Sequence, residues 1–153
     1  MPESRTMTVR QAVTLNNAIP ALDGHIEETT VENTKTGEKT TTRKVIPFTF
    51  GKDGKGGKIR WNIAKNRVIL QAEADTFTKA RDKALTEISD GTGTIQPDNV
   101  EAITKLNQAV ESLLDNDIGV TGLLTIDLAD LNLDDNPKLL PTSLAPLMPL
   151  IKE

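Results

Sequence analysis

The chain contains no cysteine and no tyrosine, and a single histidine, His25. Without cysteine there is no disulfide framework, no thiolate metal site and no cysteine nucleophile. With one histidine, a transition-metal site would need carboxylates for nearly all its ligands. No Ser/His/Asp order can be assembled around His25 with conviction. It follows Gly24 and reads as a surface loop residue.

Aromatic side chains are nearly as scarce: Phe48, Phe50, Phe77 and Trp61 make up 3% of 153 residues. The core must therefore be built from Leu, Ile, Val and Ala, which suits helix packing. No apolar run approaches the ~20 residues that span a bilayer. Residues 1–10 are polar and lack the apolar stretch of a secretory leader. The protein is expected to be made and used inside a cell, or built into a particle assembled there.

Charge of one sign is also missing. Net charge is −4 with 26% charged residues. No basic field marks a dedicated nucleic-acid binder. The length is that of one ordinary domain, which buries enough surface to fold without staples.

What is present is strong periodicity in two stretches. Ile59, Ile63, Leu70, Ala74, Phe77, Ala84 and Ile88 fall on one helical stripe, with Asn66 and Arg81 as polar interruptions. About 30 residues at ~1.5 Å rise predict a helix of roughly 45 Å, over about Lys58–Ser89. Glycines in Ser89-Asp90-Gly91-Thr92-Gly93 are available to cap its end. A second stripe, Ile103, Leu106, Val110, Leu113 and Leu114, predicts a shorter helix over about Asp98–Asp115. Asp98 and Glu101 resemble a capping box at its start. The short connection favours antiparallel neighbours.

Before this pair, Val13, Leu15, Ala18, Ile19 and Leu22 predict a short helix disturbed by Pro20. Residues 25–50 change character, to Thr, Val, Ile and Phe. Two strand-like halves, Ile26–Thr34 and Lys39–Phe50, flank Lys35-Thr36-Gly37-Glu38, a hairpin pattern. Glu27, Glu28 and Glu32 lie on one half; Lys39, Arg43 and Lys44 lie on the other. Pro47 suggests an edge position. Leu124 to Leu128 alternates and reads as a strand within Leu123–Leu133. The segment Leu139–Ile151, cut by three prolines, reads as a terminal helix or strap. The expected fold class is α+β: a long antiparallel helical hairpin, a β-hairpin insertion and a C-terminal strand or helix strap. Residues 1–10 are expected to be a flexible arm and 11–153 a single domain. The β-hairpin and the Leu/Pro-rich tail are expected to cover the excess length of the first long helix.

Candidate chemistry is sparse. Gly51-Lys52-Asp53-Gly54-Lys55-Gly56-Gly57-Lys58 invites a phosphate-loop reading, but Ile59 follows Gly57-Lys58 and Lys52 stands where the first glycine belongs. A looser anion site remains open: Lys55, Lys58 and Arg60 at a helix start, with Trp61 as a stacking surface. The alternatives are solvating lysines in a connection and a Trp61 packed where hairpin meets helix. Asp127, Asp130, Asp134 and Asp135 are candidate oxygen ligands for a hard cation, the basis of a metal-dependent hydrolase reading. They lack the spacing and central glycine of an EF-hand loop. No catalytic constellation emerges, no cofactor is implied, and a non-enzyme is expected.

Several segments carry a family likeness. Leu15-Asn16-Asn17-Ala18-Ile19 precedes Ile63-Ala64-Lys65-Asn66 at the opening of the long helix and Ala80-Arg81-Asp82-Lys83-Ala84-Leu85 later in it. Glu111-Ser112-Leu113-Leu114 closes the second helix. Ile126-Asp127-Leu128-Ala129-Asp130-Leu131 and Leu147-Met148-Pro149-Leu150-Ile151 follow. From Trp61 to Ile151 the chain resembles a group of small proteins encoded by tailed phages and prophages. The resemblance brings no catalytic residues. It implies a phage context: a virion structural or head/tail assembly component, touching other phage proteins in homo- or hetero-oligomers. A second reading is a counter-defence protein that binds a host immune protein or sequesters a phosphorylated signal at the Gly/Lys loop.

Overall fold

A computed structural model describes residues 2–51, 54 and 56–153. The fold is α+β, with 51% helix and 21% strand. Strand β1 (Ser4–Thr8) leads into α1 (Val9–Ala18), followed by a 3-10 turn at Ile19–Leu22. Strands β2 (Gly24–Glu32) and β3 (Lys39–Pro47) come next, then α2 (Gly56–Ile88) and α3 (Val100–Leu114). Strands β4 (Asp117–Thr121) and β5 (Ile126–Asp127), helix α4 (Pro141–Leu144) and strand β6 (Ile151–Lys152) complete the order. Two further 3-10 turns occupy Leu128–Leu131 and Ala145–Leu150.

The chain forms two compact units, each made from two separate stretches. The first unit combines Met1–Asn17 with Ala64–Leu124. Here β1 and β4 pair antiparallel, from Ser4 opposite Thr121 to Thr8 opposite Asp117. The N-terminal segment expected to be a flexible arm is therefore a strand, and Met7 on it is buried. The reason is non-local: the backbone of Ser4–Thr8 finds its hydrogen-bond partners more than 100 residues away. The Val9 N–H continues the join by donating to Asn116 O at 2.9 Å.

In the same unit α1 buries Ala12 and Leu15, the Leu70 side chain is fully buried on α2, and β4 buries Val120. Arg10 of α1 pairs with Glu111 of α3 and, at 3.2 Å, with Asp115 at the helix's C-cap. The helical hairpin is α2 with α3. Beyond Leu70 its stripe is only half-buried: Phe77, Ala84, Ile88, Ile103, Leu106 and Val110 all keep some exposure. The left-handed residue that ends α2 is Asp90 (φ 54°), ahead of the glycines, and Gly91 N–H returns to Thr86 O at 2.8 Å. The cap of α3 is Asn99, not Asp98: its side chain accepts from the Ala102 N–H at 3.1 Å. A turn from Gln96 to Asn99 (3.0 Å) moves the helix start one residue past the capping-box expectation. Strand β4 starts two residues past the expected end of the second helix, Asp115.

The second unit combines Ala18–Ile63 with Thr125–Glu153. Its core comprises Ile19, Leu22, Phe48, Phe50, Ile59, Ile63, Ile126, Leu131, Leu139, Leu144, Leu147 and Leu150. The strand expected over Leu123–Leu133 shrinks to β5, because the backbone turns into a 3-10 helix at Leu128. Strand β6 pairs with β5 in parallel. Two buried asparagines fasten the loops. Asn136 donates to Thr49 O (2.8 Å) and Leu131 O (2.8 Å), and accepts from Thr49 N–H (3.0 Å). Asn132 donates to Gly51 O (2.7 Å), and Gly51 N–H donates to Asp130 O (2.7 Å). Residues 49–51, which lead from β3 toward α2, are thereby tied to residues 130–136.

Candidate functional site

Strands β2 and β3 form an antiparallel ribbon running from Gly24 opposite Pro47 to Glu32 opposite Lys39. Why these residues pair is visible in their chemistry. Thr and Val favour extended backbone. The turn places Gly37 at φ 70°, and Asn33 Oδ1 accepts from the Lys35 N–H at 2.9 Å. The register sets Glu27 opposite Lys44, Glu28 opposite Arg43 and Glu32 opposite Lys39. Every acidic residue of β2 thus faces a basic residue of β3. Arg43 Nε lies 2.8 Å from Glu28 Oε1, and the hydroxyls of Thr30 and Thr41 meet at 3.2 Å.

Every residue from Ile26 to Val45 is exposed. Both faces of the ribbon are open: Ile26 and Val45 share one face at 64% and 55% exposure, and Val31 on the other face is 62% exposed. The expectation that this hairpin covers a helix is therefore corrected. Its alternation is polar on both sides, so neither face has a set of apolar residues to bury. Only its root is anchored. Gly24 lies so close to β3 that a Cβ would sit 2.1 Å from Ile46 O. The His25 ring lies 5.8 Å from that of Phe48, and Phe48 lies 6.2 Å from Phe50.

The residues singled out for anion binding fare differently. Lys55 lies outside the described residues. Lys58 is exposed in the first turn of α2. Arg60 is committed elsewhere: its guanidinium donates to Phe48 O and stands 5.4 Å from the Phe50 ring centroid. It locks the end of the ribbon to the helix. Trp61 is 64% exposed, against the expectation that it packs at this junction. An open cleft of about 660 Å³ is lined by Phe48, Phe50, glycines of the loop and Arg60, and Lys58 and Trp61 are not among its lining residues.

Asp127, Asp130, Asp134 and Asp135 are not gathered into a site. Among the described residues, no group of three or more His, Cys, Asp or Glu is placed to hold a metal ion. His25 Nε2 is 3.5 Å from Glu27 Oε1. No helix among the described residues is long and apolar enough to cross a membrane.

The exposed ribbon is thus the most distinctive surface of the second unit. Its opposed charges were legible in the sequence; its lack of any covering layer was not. Comparison with protein-family models, with curated proteins and with solved structures finds no match.

Proposed function

We propose that this chain is a phage-encoded protein that acts by protein–protein contact, as a structural or assembly component of the virion. The observation that carries this reading is the ribbon from Ile26 to Val45, exposed along its whole length. A solitary two-stranded ribbon is marginal in water because it has no third strand and no apolar face to bury. One presented as a nine-residue-per-strand arm has its natural use in adding strands to a partner's sheet. The phage context comes from the sequence resemblance described above. No catalytic role is assigned to any residue.

The test is to tag the protein, infect or induce, and fractionate particles and assembly intermediates with mass spectrometry. The reading expects the protein in stoichiometric amounts in particles, or in head or tail intermediates. It further expects that association to vanish when residues 26–45 are replaced by a short glycine turn. Absence from every particle and intermediate fraction would overturn it.

A further inference from the structure

The two free edges of the ribbon differ in sign. Strand β2 carries Glu27, Glu28 and Glu32 and no cation; β3 carries Lys39, Arg43 and Lys44 and no anion. Each strand is an edge, because their sheet has no third member. At the turn, Asn33 N–H donates to Glu38 O at 2.7 Å, which fixes which backbone groups point inward. In an antiparallel pair, inward-bonded and outward-pointing residues alternate. Residues 25, 27, 29 and 31 therefore bond across to 46, 44, 42 and 40. Ile26, Glu28, Thr30 and Glu32 point their N–H and C=O out along one edge; Lys39, Thr41, Arg43 and Val45 do so along the other.

We infer that the partner of this ribbon is the ribbon of a second copy of the chain, joined head to tail, β3 of one copy against β2 of the next. The inference deepens the contact reading above and names the partner. When identical ribbons stack in register, β3 and the neighbouring β2 run antiparallel. Outward groups then meet at matching levels: Lys39 with Glu32, Thr41 with Thr30, Arg43 with Glu28, Val45 with Ile26. Each intermolecular row repeats a row already made within one copy. The two self-matched alternatives are disfavoured. An edge pair of β2 with β2 brings together two strands with three glutamates each, and β3 with β3 brings together two with three cations each. Pro47 has no N–H to offer an edge, so the shared ladder stops there. A head-to-tail contact closes into a ring or grows into an open array, according to the rotation between copies.

The test uses the full chain and two edge-blocking variants in sedimentation velocity. Thr41→Pro removes an outward N–H of β3, and Thr30→Pro removes one of β2; each also loses the Thr30–Thr41 hydroxyl contact, and neither takes a backbone hydrogen bond from within the ribbon. Wild type is expected to associate with rising concentration, and more weakly in high salt. Each variant alone is expected to stay monomeric. An equimolar mixture is expected to give one-to-one dimers through the two unblocked edges. Wild type that remains monomeric up to millimolar concentration would overturn the inference, as would a mixture that stays monomeric while both variants keep the ribbon's circular dichroism and inward amide protection.

Should a proline dissolve the ribbon, a sixfold exchange of signs keeps every internal pair. Glu27, Glu28 and Glu32 become lysine while Lys39, Arg43 and Lys44 become glutamate. That variant is expected to assemble with itself and to exclude wild type; mixed assemblies would overturn the inference. Particle association by a strictly monomeric protein would sink this inference alone. Self-association without particle association would sink only the virion reading.

Discussion

Asn66 and Leu124 exchange two hydrogen bonds: the Asn66 Nδ2 donates to Leu124 O at 2.8 Å, and Leu124 N–H donates to Asn66 Oδ1 at 2.7 Å. Asn66 is fully buried on the apolar stripe of α2. Its amide does for Leu124 what a neighbouring strand would do. Asn66→Leu keeps volume but leaves a buried N–H and C=O without partners. The expected loss is about 2–6 kcal/mol, from two groups at ~1–3 each. Urea unfolding measures it; a loss below about 1 kcal/mol would show that water replaces the amide.

Asn132 adopts the left-handed conformation (φ 47°, ψ 57°) and also bonds Thr49 O and Gly51 O. The two contributions separate by substitution. Asn132→Gly loses the hydrogen bonds only; Asn132→Ala loses them and adds backbone strain of about 1–2 kcal/mol. The alanine variant is expected to be less stable than the glycine variant by about that margin in thermal or urea unfolding. Equal stabilities would mean the turn relaxes.

Gly24 sets the root of the ribbon. Gly24→Ala places a methyl group 2.1 Å from Ile46 O and 2.7 Å from Ile46 C, both backbone atoms that have to move. Amide exchange is expected to show protection lost at residues 25–31 and 40–46, while α3 keeps its own. An unchanged ribbon would mean the close approach is easily relieved.

On α3, the hydrogen bond from Lys105 holds the Glu101 carboxyl below its ordinary value and Lys105 above its own. A depressed carboxylate adds stability above its unfolded pKa and loses it as pH falls through the folded one. Both groups are solvent-exposed, so the effect is best read by NMR titration. Lys105→Ala is expected to move the Glu101 midpoint upward. No movement would mean the pair is absent in solution.

The helices were legible because their signal is local. Ile59, Ile63 and Leu70 announce a buried face from spacing alone, and the structure buries all three. The charge pairing of β2 with β3 was legible for the same reason: the strands are joined by a short turn, so composition on each side sets the match. What stayed hidden depends on distant partners. Nothing in Ser4–Thr8 names Asp117–Thr121, and five residues are too few to show a period. Asn66 stood out as an interruption, but its partner is 58 positions away. Asn132 fell inside the expected strand Leu123–Leu133 and Asn136 just beyond it, and only the approach of residues 49–51 explains their burial. In the candidate site, Arg60 was selected for its charge; its role follows from the Phe48 carbonyl and Phe50 ring, which sequence distance alone does not bring to it.

The central claim is that the outward edges of the ribbon pair between copies. Amide hydrogen exchange at two protein concentrations tests it residue by residue. At low concentration the inward amides of residues 25–31 and 40–46 are expected to be protected, and those of Ile26, Glu28, Thr30, Glu32, Lys39, Thr41, Arg43 and Val45 open. At high concentration protection is expected to appear on both outward sets together. Outward amides that exchange freely at every concentration, or protection confined to one strand, would contradict head-to-tail assembly.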